Sequence, residues 1–228
     1  MNKDSLRIYD RFHDIGFSAG IITRGPWKSR EDPYILLNER LAGKGAEVLN
    51  PRQVHGSSIV RAEDLADEAK SAADGVLSIA GRHCLSVRTA DCLPLLFAEK
   101  NSGLFGAVHI GWRGLVGGII ENLYYAVKNL DISFNRLYIS LGPCIGDCCF
   151  EAGGDVAIFF EDGRVRMEVD KHFLDLRGAV KERLLQFGAD EKNIFCENEC
   201  TSCRSDRYYS FRRDHEAPYQ MISFIYRN

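Results

Sequence analysis

VRTADCLPLLFAEKNSGLFGAVHIGWRGL, residues 87–115, holds two strongly apolar runs, and each contains one side chain able to bind a metal or act as a nucleophile. Those residues are Cys92 and His109. The runs CLPLLFA and LFGAVHIGW are rich in Leu, Ile, Val and Phe and read as β-strands. A buried strand does not ordinarily carry Thr89 and Asp91 just before its cysteine, or Arg113 just after its histidine. The stretch is therefore either a core that happens to hold polar atoms or a reaction centre.

Working outward, similar short β-type runs recur: GFSAGIIT, SSIVRA, DGVLSI, CLSVRTA, LYISLGPC, NIFCENEC and MISFIYR. Gly, Asp, Asn or Pro bound most of them. Two segments carry helical spacing of apolar residues. In GLVGGIIENLYYAVKNL these are Val116, Ile119, Leu123, Val127 and Leu130. In HFLDLRGAVKERLLQFG they are Leu176, Val180, Leu184 and Phe187, with Gly188 as the stop. DPYILLNERLAG and DVAIFFEDG are weaker helical patterns. Many strands with few helices predict an α+β or mixed α/β fold with mixed sheets, in a single domain spanning residues 1–228.

Composition narrows the function classes. The 228 residues are 45% hydrophobic and 27% charged, with net charge −3 and a pI near 6.1, so no overall field calls for nucleic acid or an anionic membrane. No run of apolar residues is long enough to span a bilayer, and the opening MNKDSLRIYDRF lacks the apolar stretch of a signal peptide. The expectation is a cytoplasmic protein that binds small molecules and no membrane, as a monomer. In a reducing compartment the eight cysteines read as free thiols, metal ligands or a nucleophile rather than disulfides.

His55, in RQVHGSSIV, joins Cys92 and His109 as a candidate His-Cys-His metal set with an open position for water or substrate. Thiolate and imidazole suit zinc, and also copper. The separations are 37 and 17 residues, so spacing alone does not bring the three together; by pattern alone a buried Cys is usually a small hydrophobe and a lone His a hydrogen-bonded core residue. Asp74, in Ala-Asp-Gly, and Asp91, next to Cys92, are carboxylates that could orient a ligand or move a proton, or could simply cap turns. Arg113 in Gly-Trp-Arg-Gly, at the start of the long helical pattern, is a candidate anion contact or a surface arginine.

QVHG, ADG, TADCLPLLF, AVHIGWRG and GPCIGDCCFEAG, in this order, resemble the YfiH-type family, known variously as a multicopper polyphenol oxidase (laccase) domain, a purine nucleoside phosphorylase and a peptidoglycan editing factor. The resemblance runs from about Gly16 to the C-terminus. It implies a four-layer α-β-β-α fold with mixed sheets, similar to that of toxin deamidases. It implies one zinc held by His55, Cys92 and His109, with copper as the other metal the set accepts. It also implies phosphorolysis of adenosine, inosine, guanosine and methylthioadenosine, with adenosine deamination in the same site. In that setting Asp74 and Asp91 are the candidate proton-moving groups, and Arg113, Arg24, Arg212 and Gln53 the candidate substrate or phosphate contacts. The chain departs from the family pattern where Thr23, Arg24 and Gly25 run into Pro26 and Trp27. It departs again where Ala217, Pro218 and Tyr219 follow the Ser210-Phe211-Arg212-Arg213 block and one expected arginine is missing.

Three other readings compete. A Cys92 thiolate activated by His109 would make a hydrolase with no need of His55. Copper-dependent phenol oxidation would need more histidine ligands than this trio supplies. A partner-binding module in cell-wall quality control would bind without turnover. Two further cysteine patterns stand apart. CENECTSC, residues 196–203, has the spacing of a radical iron–sulfur motif but lies near the C-terminus, and it reads as structural. PCIGDCC has one residue too many for a deaminase zinc motif, and Cys144, Cys148 and Cys149 read as a loop near the site.

Overall fold

The computed structural model describes residues 6–24, 33–41, 46–66, 71–79, 81–160, 162–215 and 219–228. In chain order these form β1 (Leu6–Ile8), α1 (Asp10–His13), β2 (Phe17–Ile22), α2 (Pro33–Leu41), β3 (Glu47–Leu49), β4 (Ile59–Arg61), β5 (Gly75–Ser78), β6 (His83–Thr89), β7 (Leu93–Ala98) and β8 (Phe105–Ile110). There follow α3 (Trp112–Val116), α4 (Ile119–Lys128), β9 (Tyr138–Leu141), β10 (Glu151–Ala152), α5 (Gly154–Ala157), β11 (Val165–Glu168) and β12 (Lys171–Leu174). The chain ends with α6 (Leu176–Gln186), β13 (Ile194–Cys196), α7 (Phe211–Asp214) and β14 (Met221–Arg227).

The two apolar runs of residues 87–115 form an antiparallel pair, with Leu93 opposite Ile110 and Ala98 opposite Phe105. Every residue of β7 and β8 is buried, which requires cover on both faces. One face, with Leu93, Leu95, Phe97, Val108 and Ile110, packs against Ile119, Ile120, Leu123 and Val127 of α4 and Leu176, Val180 and Leu184 of α6. The other, with Leu96, Ala98, Phe105 and Ala107, meets Phe17, Ala19, Leu85, Val87 and Ile225 of a second sheet. That second sheet covers its far side with Tyr34, Leu37 and Leu41 of α2, which pack on Ile22, Ile222 and Phe224.

The result is the four-layer α-β-β-α arrangement. The inner sheets run β1-β2-β14-β6-β3 and β13-β9-β7-β8-β5-β4, and both mix parallel with antiparallel pairs. Burial of apolar area between layers, at about 25 cal/mol per Å², is the main stabilising term.

Three local expectations need correction. Residues 114–130 are not one helix. The chain breaks at Gly117–Gly118, where Gly118 takes a left-handed φ of 86° that only glycine adopts at little cost, and Val116 is left exposed. In HFLDLRGAVKERLLQFG, the first residues belong to β12; Asp175 then caps α6 by accepting the N–H of Gly178 at 2.9 Å. Among the described residues of DVAIFFEDG, the first three lie in the single turn α5, Ile158 and Phe159 are exposed beyond it, and a 3-10 turn begins at Asp162. A small sheet, β10-β12-β11, lies over residues 151–174 and carries no alternating apolar signal; Arg166, Met167 and Glu168 all face solvent.

Candidate metal centre

His109 is the next-to-last residue of β8, on the face that looks toward the second sheet, and its Cα partner across the ladder is Pro94. Two residues ahead of Pro94 comes Cys92. Pairing of β5 with β8 brings Asp74 alongside, so that the His109 N–H donates to the Asp74 carbonyl at 2.7 Å. The loop before β4 then carries His55 over the same point. The candidate ligand atoms of His55, Cys92 and His109 lie within 4.8 Å of one another, and the two imidazoles meet edge to face at 4.8 Å between centroids.

Asp74 organises this convergence. It is fully buried, and four donors reach its carboxylate. Oδ2 accepts the N–H groups of Gly56 at 2.6 Å and Val54 at 3.2 Å; Oδ1 accepts the His55 N–H at 3.0 Å. His109 Nδ1 lies 2.8 Å from Oδ1. Because an ionised carboxylate can only accept, Nδ1 must carry the proton, which leaves Nε2 with its lone pair free for a metal. Burial pushes the Asp74 carboxyl up, but the hydrogen bonds from His109, Gly56 and Val54 outweigh it and hold the group below its ordinary value. The three backbone donors also hold His55 in a left-handed conformation, φ 58°, that a non-glycine residue rarely takes.

Cys92 follows a second such residue, Asp91, with φ 91°. The Asp91 carboxylate accepts Thr201 Oγ1–H at 2.6 Å, Ser210 Oγ–H at 3.0 Å and the Arg212 N–H at 2.7 Å, while its carbonyl accepts the Ile145 N–H at 2.9 Å. Asp91 thus fixes the approach to β7 rather than facing the site.

The donor set fits a zinc-class ion. Burial is the main cause that lowers His55 below its usual value, with the charge of Arg113 adding to this and Asp74 opposing it; neutral imidazole is what a metal requires. Burial, then Asp91, Cys144 and Asp74, pushes the Cys92 thiol up to about 12, so a cation is what would hold it as thiolate at neutral pH. Gly111 leaves room: a Cβ there would stand 3.2 Å from Cys92 Sγ and 3.3 Å from His55 Cδ2.

A cleft of about 470 Å³ opens onto the trio, within the usual range for small-molecule sites. Besides His55, Cys92 and His109, its walls include Asn50, Arg52, Gln53, Arg88, Thr89 and Gln220. Gln53 does line it, but its amide is committed to the Arg88 backbone: Nε2–H donates to the carbonyl and Oε1 accepts the N–H, both at 2.8 Å. Among the described residues, Arg88 Nε and Thr89 Oγ1 are buried with no hydrogen-bond partner, and the Arg88 guanidinium lies 4.2 Å from the Tyr34 ring centroid.

The other expected contacts are not among the cleft-lining residues, although the Arg113 charge is near enough to act on His55. Arg113 is exposed on α3 and stacks over Trp112, 4.4 Å from the ring centroid. Arg24 donates to the Ser205 carbonyl at 3.2 Å. Arg212 donates to the carbonyls of Cys149 and Glu151 at 3.0 and 2.8 Å. Gly25, Pro26, Trp27, Ala217 and Pro218 lie outside the described residues. Arg52 and Arg88 are the cations that sequence reasoning missed; Arg88 did carry a signal, a charge inside the strand run that precedes TADC.

A sequence-family model described as multi-copper polyphenol oxidoreductase laccase matches residues 32–228. A purine nucleoside phosphorylase of Deinococcus radiodurans is 36% identical over 222 residues, covering 89% of this chain and 83% of that protein. Adenosine deaminase RL5, from an unknown prokaryotic organism, is 28% identical over 199 residues, covering 80% and 76%. The crystal structure of YlmD from Geobacillus stearothermophilus superposes with a TM-score of 0.80 at 27% identity, covering 93% of this chain and 92% of that one. With its His-Cys-His centre set at the edge of a four-layer core, the chain belongs to the multi-copper polyphenol oxidoreductase laccase family, of the YfiH type.

Proposed function

We propose that the chain is a zinc-dependent purine nucleoside phosphorylase, acting on adenosine, inosine, guanosine and methylthioadenosine, that also deaminates adenosine. The observation that carries this reading is the meeting of His55, Cys92 and His109 at a cleft whose walls hold Arg52, Arg88 and the unpartnered Thr89 hydroxyl. The names of its relatives, a purine nucleoside phosphorylase and an adenosine deaminase, support both halves.

Phosphorolysis breaks the bond from ribose to purine N9 through a sugar with cationic character. It needs phosphate held under C1′ and a departing base that is not left as a free anion. Arg52 and Arg88 are the cations on the cleft wall for phosphate, and the fork of Arg88 suits two of its oxygens. Gln53 holds the Arg88 backbone from both sides and so acts as a positioning residue. Deamination adds water to C6 of the purine and expels the amino group as ammonia. His55, Cys92 and His109 would hold a zinc ion, which when bound would supply Lewis-acid polarisation. Asp74 fixes the His109 tautomer and the His55 turn; its oxygens are already filled by donors, which makes it a positioning residue too. Asp91 does the same for Cys92.

One observation favours a second reading. Asp74, His109 and Cys92 are also ordered as the acid, base and thiol of a cysteine hydrolase. Against it, the Cys92 thiol is pushed up rather than down, and His55 has no part in such a line. The variants Cys92→Ala and His55→Ala separate the two. Under the metal reading each loses the ion of this centre and both nucleoside activities. A His55→Ala protein that lacks that ion yet retains thiol-dependent turnover would overturn it. Copper-based phenol oxidation is disfavoured because, among the described residues, only one candidate metal group contains histidine.

A further inference from the structure

The parallel pairing of β9 with β13 has a consequence at the ends of those strands. Ile194, Phe195 and Cys196 run beside Ile139, Ser140 and Leu141. Parallel strands send their following loops out on the same side. The loop after β9 carries Cys144, Cys148 and Cys149, and the loop after β13 carries Cys200 and Cys203. A single backbone β-pairing of Cys144 with Cys200 keeps the loops in step, with the Thr201 N–H donating to the Cys144 carbonyl at 3.1 Å.

Two tight turns then face each other. In the first, the N–H groups of Cys149 and Phe150 both donate to the Gly146 carbonyl at 2.9 Å; in the second, the Arg204 N–H donates to the Cys200 carbonyl at 3.1 Å. The sulfurs of Cys148, Cys149, Cys200 and Cys203 all lie within 4.8 Å of one another. Cys203 Sγ is 3.6 Å from that of Cys148 and 3.4 Å from that of Cys149. Four sulfurs at about 2.3 Å around a tetrahedral zinc are about 3.8 Å apart. A disulfide needs about 2.05 Å, and all eight cysteines are free.

Other features suit a metal. Cys200 Sγ accepts the Gly146 N–H at 3.2 Å, and such bonds stabilise a thiolate. A Cβ on Gly146 would stand 3.2 Å from Cys148 Sγ, so the residue type there keeps the cluster open. Four thiolates around a dication leave two negative charges. Guanidinium groups bracket the turns: Arg212 on the Cys149 carbonyl at 3.0 Å, Arg166 on that of Asp147 at 3.0 Å, and Arg213 on those of Thr201 and Ser202 at 2.9 and 3.1 Å.

We infer that Cys148, Cys149, Cys200 and Cys203 form a second metal site, a closed four-thiolate centre for zinc or a like thiophilic divalent cation. Its role is structural, since all four positions are filled by protein. It ties together the two turns that fix Asp91: Ile145 donates to the Asp91 carbonyl and Thr201 to its carboxylate. The centre therefore supports the strained residue just ahead of Cys92. It does not depend on the nucleoside reading, because its sulfurs are not those of the His-Cys-His set.

The full chain, reconstituted with Zn²⁺ under reductant and desalted, tests this by metal analysis. Cys92→Ala keeps about one zinc per chain, held by the four cysteines, whereas Cys148→Ser and Cys203→Ser each lose one zinc relative to the parent. Loading Cys92→Ala with Co²⁺ gives sulfur-to-metal charge-transfer absorption, which histidine ligands alone cannot give. Zinc X-ray absorption of the unaltered protein needs no variant: with both sites filled it shows about 2.5 sulfurs per zinc at about 2.3 Å, against about one if only the histidine site is filled. The inference is overturned by zinc in Cys148→Ser and Cys203→Ser equal to that of the parent, by sulfur-free cobalt spectra, or by a disulfide between the turns in protein that takes up no second zinc.

Discussion

Asp74→Asn keeps the shape of the side chain and reverses half of its hydrogen-bonding character, and the geometry gives the amide no good orientation. With nitrogen in place of Oδ1, it faces the His55 N–H and the His109 Nδ1–H. His109 escapes only by moving its proton to Nε2, the atom a metal needs. With nitrogen in place of Oδ2, it faces the N–H groups of Gly56 and Val54, and the left-handed turn at His55 loses its support. Loss of the partner that orients a metal-binding histidine typically lowers metal affinity roughly 10–100-fold, or about 1.4–2.7 kcal/mol. Two lost bonds to a charged acceptor, at about 1.5–3 kcal/mol each, set a destabilisation of about 3 kcal/mol or more, a fall of roughly 6–12 °C in Tm for a chain of this size. The assay is chelator competition for zinc in Cys148→Ser/Asp74→Asn against Cys148→Ser, with thermal unfolding of each. Zinc affinity within a factor of two of the parent's, with unchanged Tm, would refute the role given to Asp74.

Further outcomes are expected at other positions. Gly111→Ala should weaken zinc binding at the histidine centre roughly tenfold and leave the fold intact, since its φ of −88° suits alanine while the new Cβ crowds Cys92 and His55; chelator competition reads it. Arg88→Met should raise KM for phosphate roughly ten- to hundredfold, the loss of a charge-assisted bond of about 1.5–3 kcal/mol, while Arg113→Met changes it far less; steady-state kinetics over phosphate concentration separates them. Asp91→Ala should destabilise the chain by about 2–4 kcal/mol by releasing Thr201, Ser210 and the Arg212 N–H, read by denaturant unfolding. Glu99 supplies an acid limb. Burial pushes its carboxyl up, but bonds from Ser102 and Asn101 and the charge of Arg136 outweigh it and hold it below its ordinary value. Its contribution to stability is present above the unfolded-state value and is lost as pH falls through the folded one. Glu99→Gln should therefore show a flatter decline of stability below about pH 4.5, and a slope equal to that of the parent would contradict this.

Much of the core was legible because strands buried on both faces need unbroken apolar runs: β7, β8 and β14 fall inside the runs read as CLPLLFA, LFGAVHIGW and MISFIYR. Helical spacing located α4 and α6, yet it could not see the break at Gly118, since a left-handed glycine leaves the apolar period almost intact. The β10-β12-β11 sheet was silent because polar strands lying on the surface have no pattern to show. Ligand chemistry alone nominates the His-Cys-His set weakly, and the resemblance of QVHG, TADCLPLLF and AVHIGWRG to the YfiH-type family is what singles it out. Its convergence depends on the β5–β8 and β7–β8 registers, which are long-range pairings that no local window contains. The four-cysteine cluster illustrates the same limit. CENECTSC and PCIGDCC each carry a legible metal-like spacing, but only the parallel pairing of β9 with β13 brings Cys200 and Cys203 to Cys148 and Cys149. Arg52 and Arg88, the cleft-lining cations, stand in no conspicuous motif; Arg24 and Arg212 are committed to backbone carbonyls, while Arg113 over Trp112 and Arg88 over Tyr34 each stack on an aromatic ring.

The most direct test of the central claim is chromatography of adenosine incubated with protein whose zinc content has been measured, with and without phosphate. The account predicts adenine and ribose 1-phosphate only when phosphate is present, inosine in its absence, and neither product from Cys92→Ala. Protein that carries zinc at His55, Cys92 and His109 yet forms neither adenine nor inosine would contradict it.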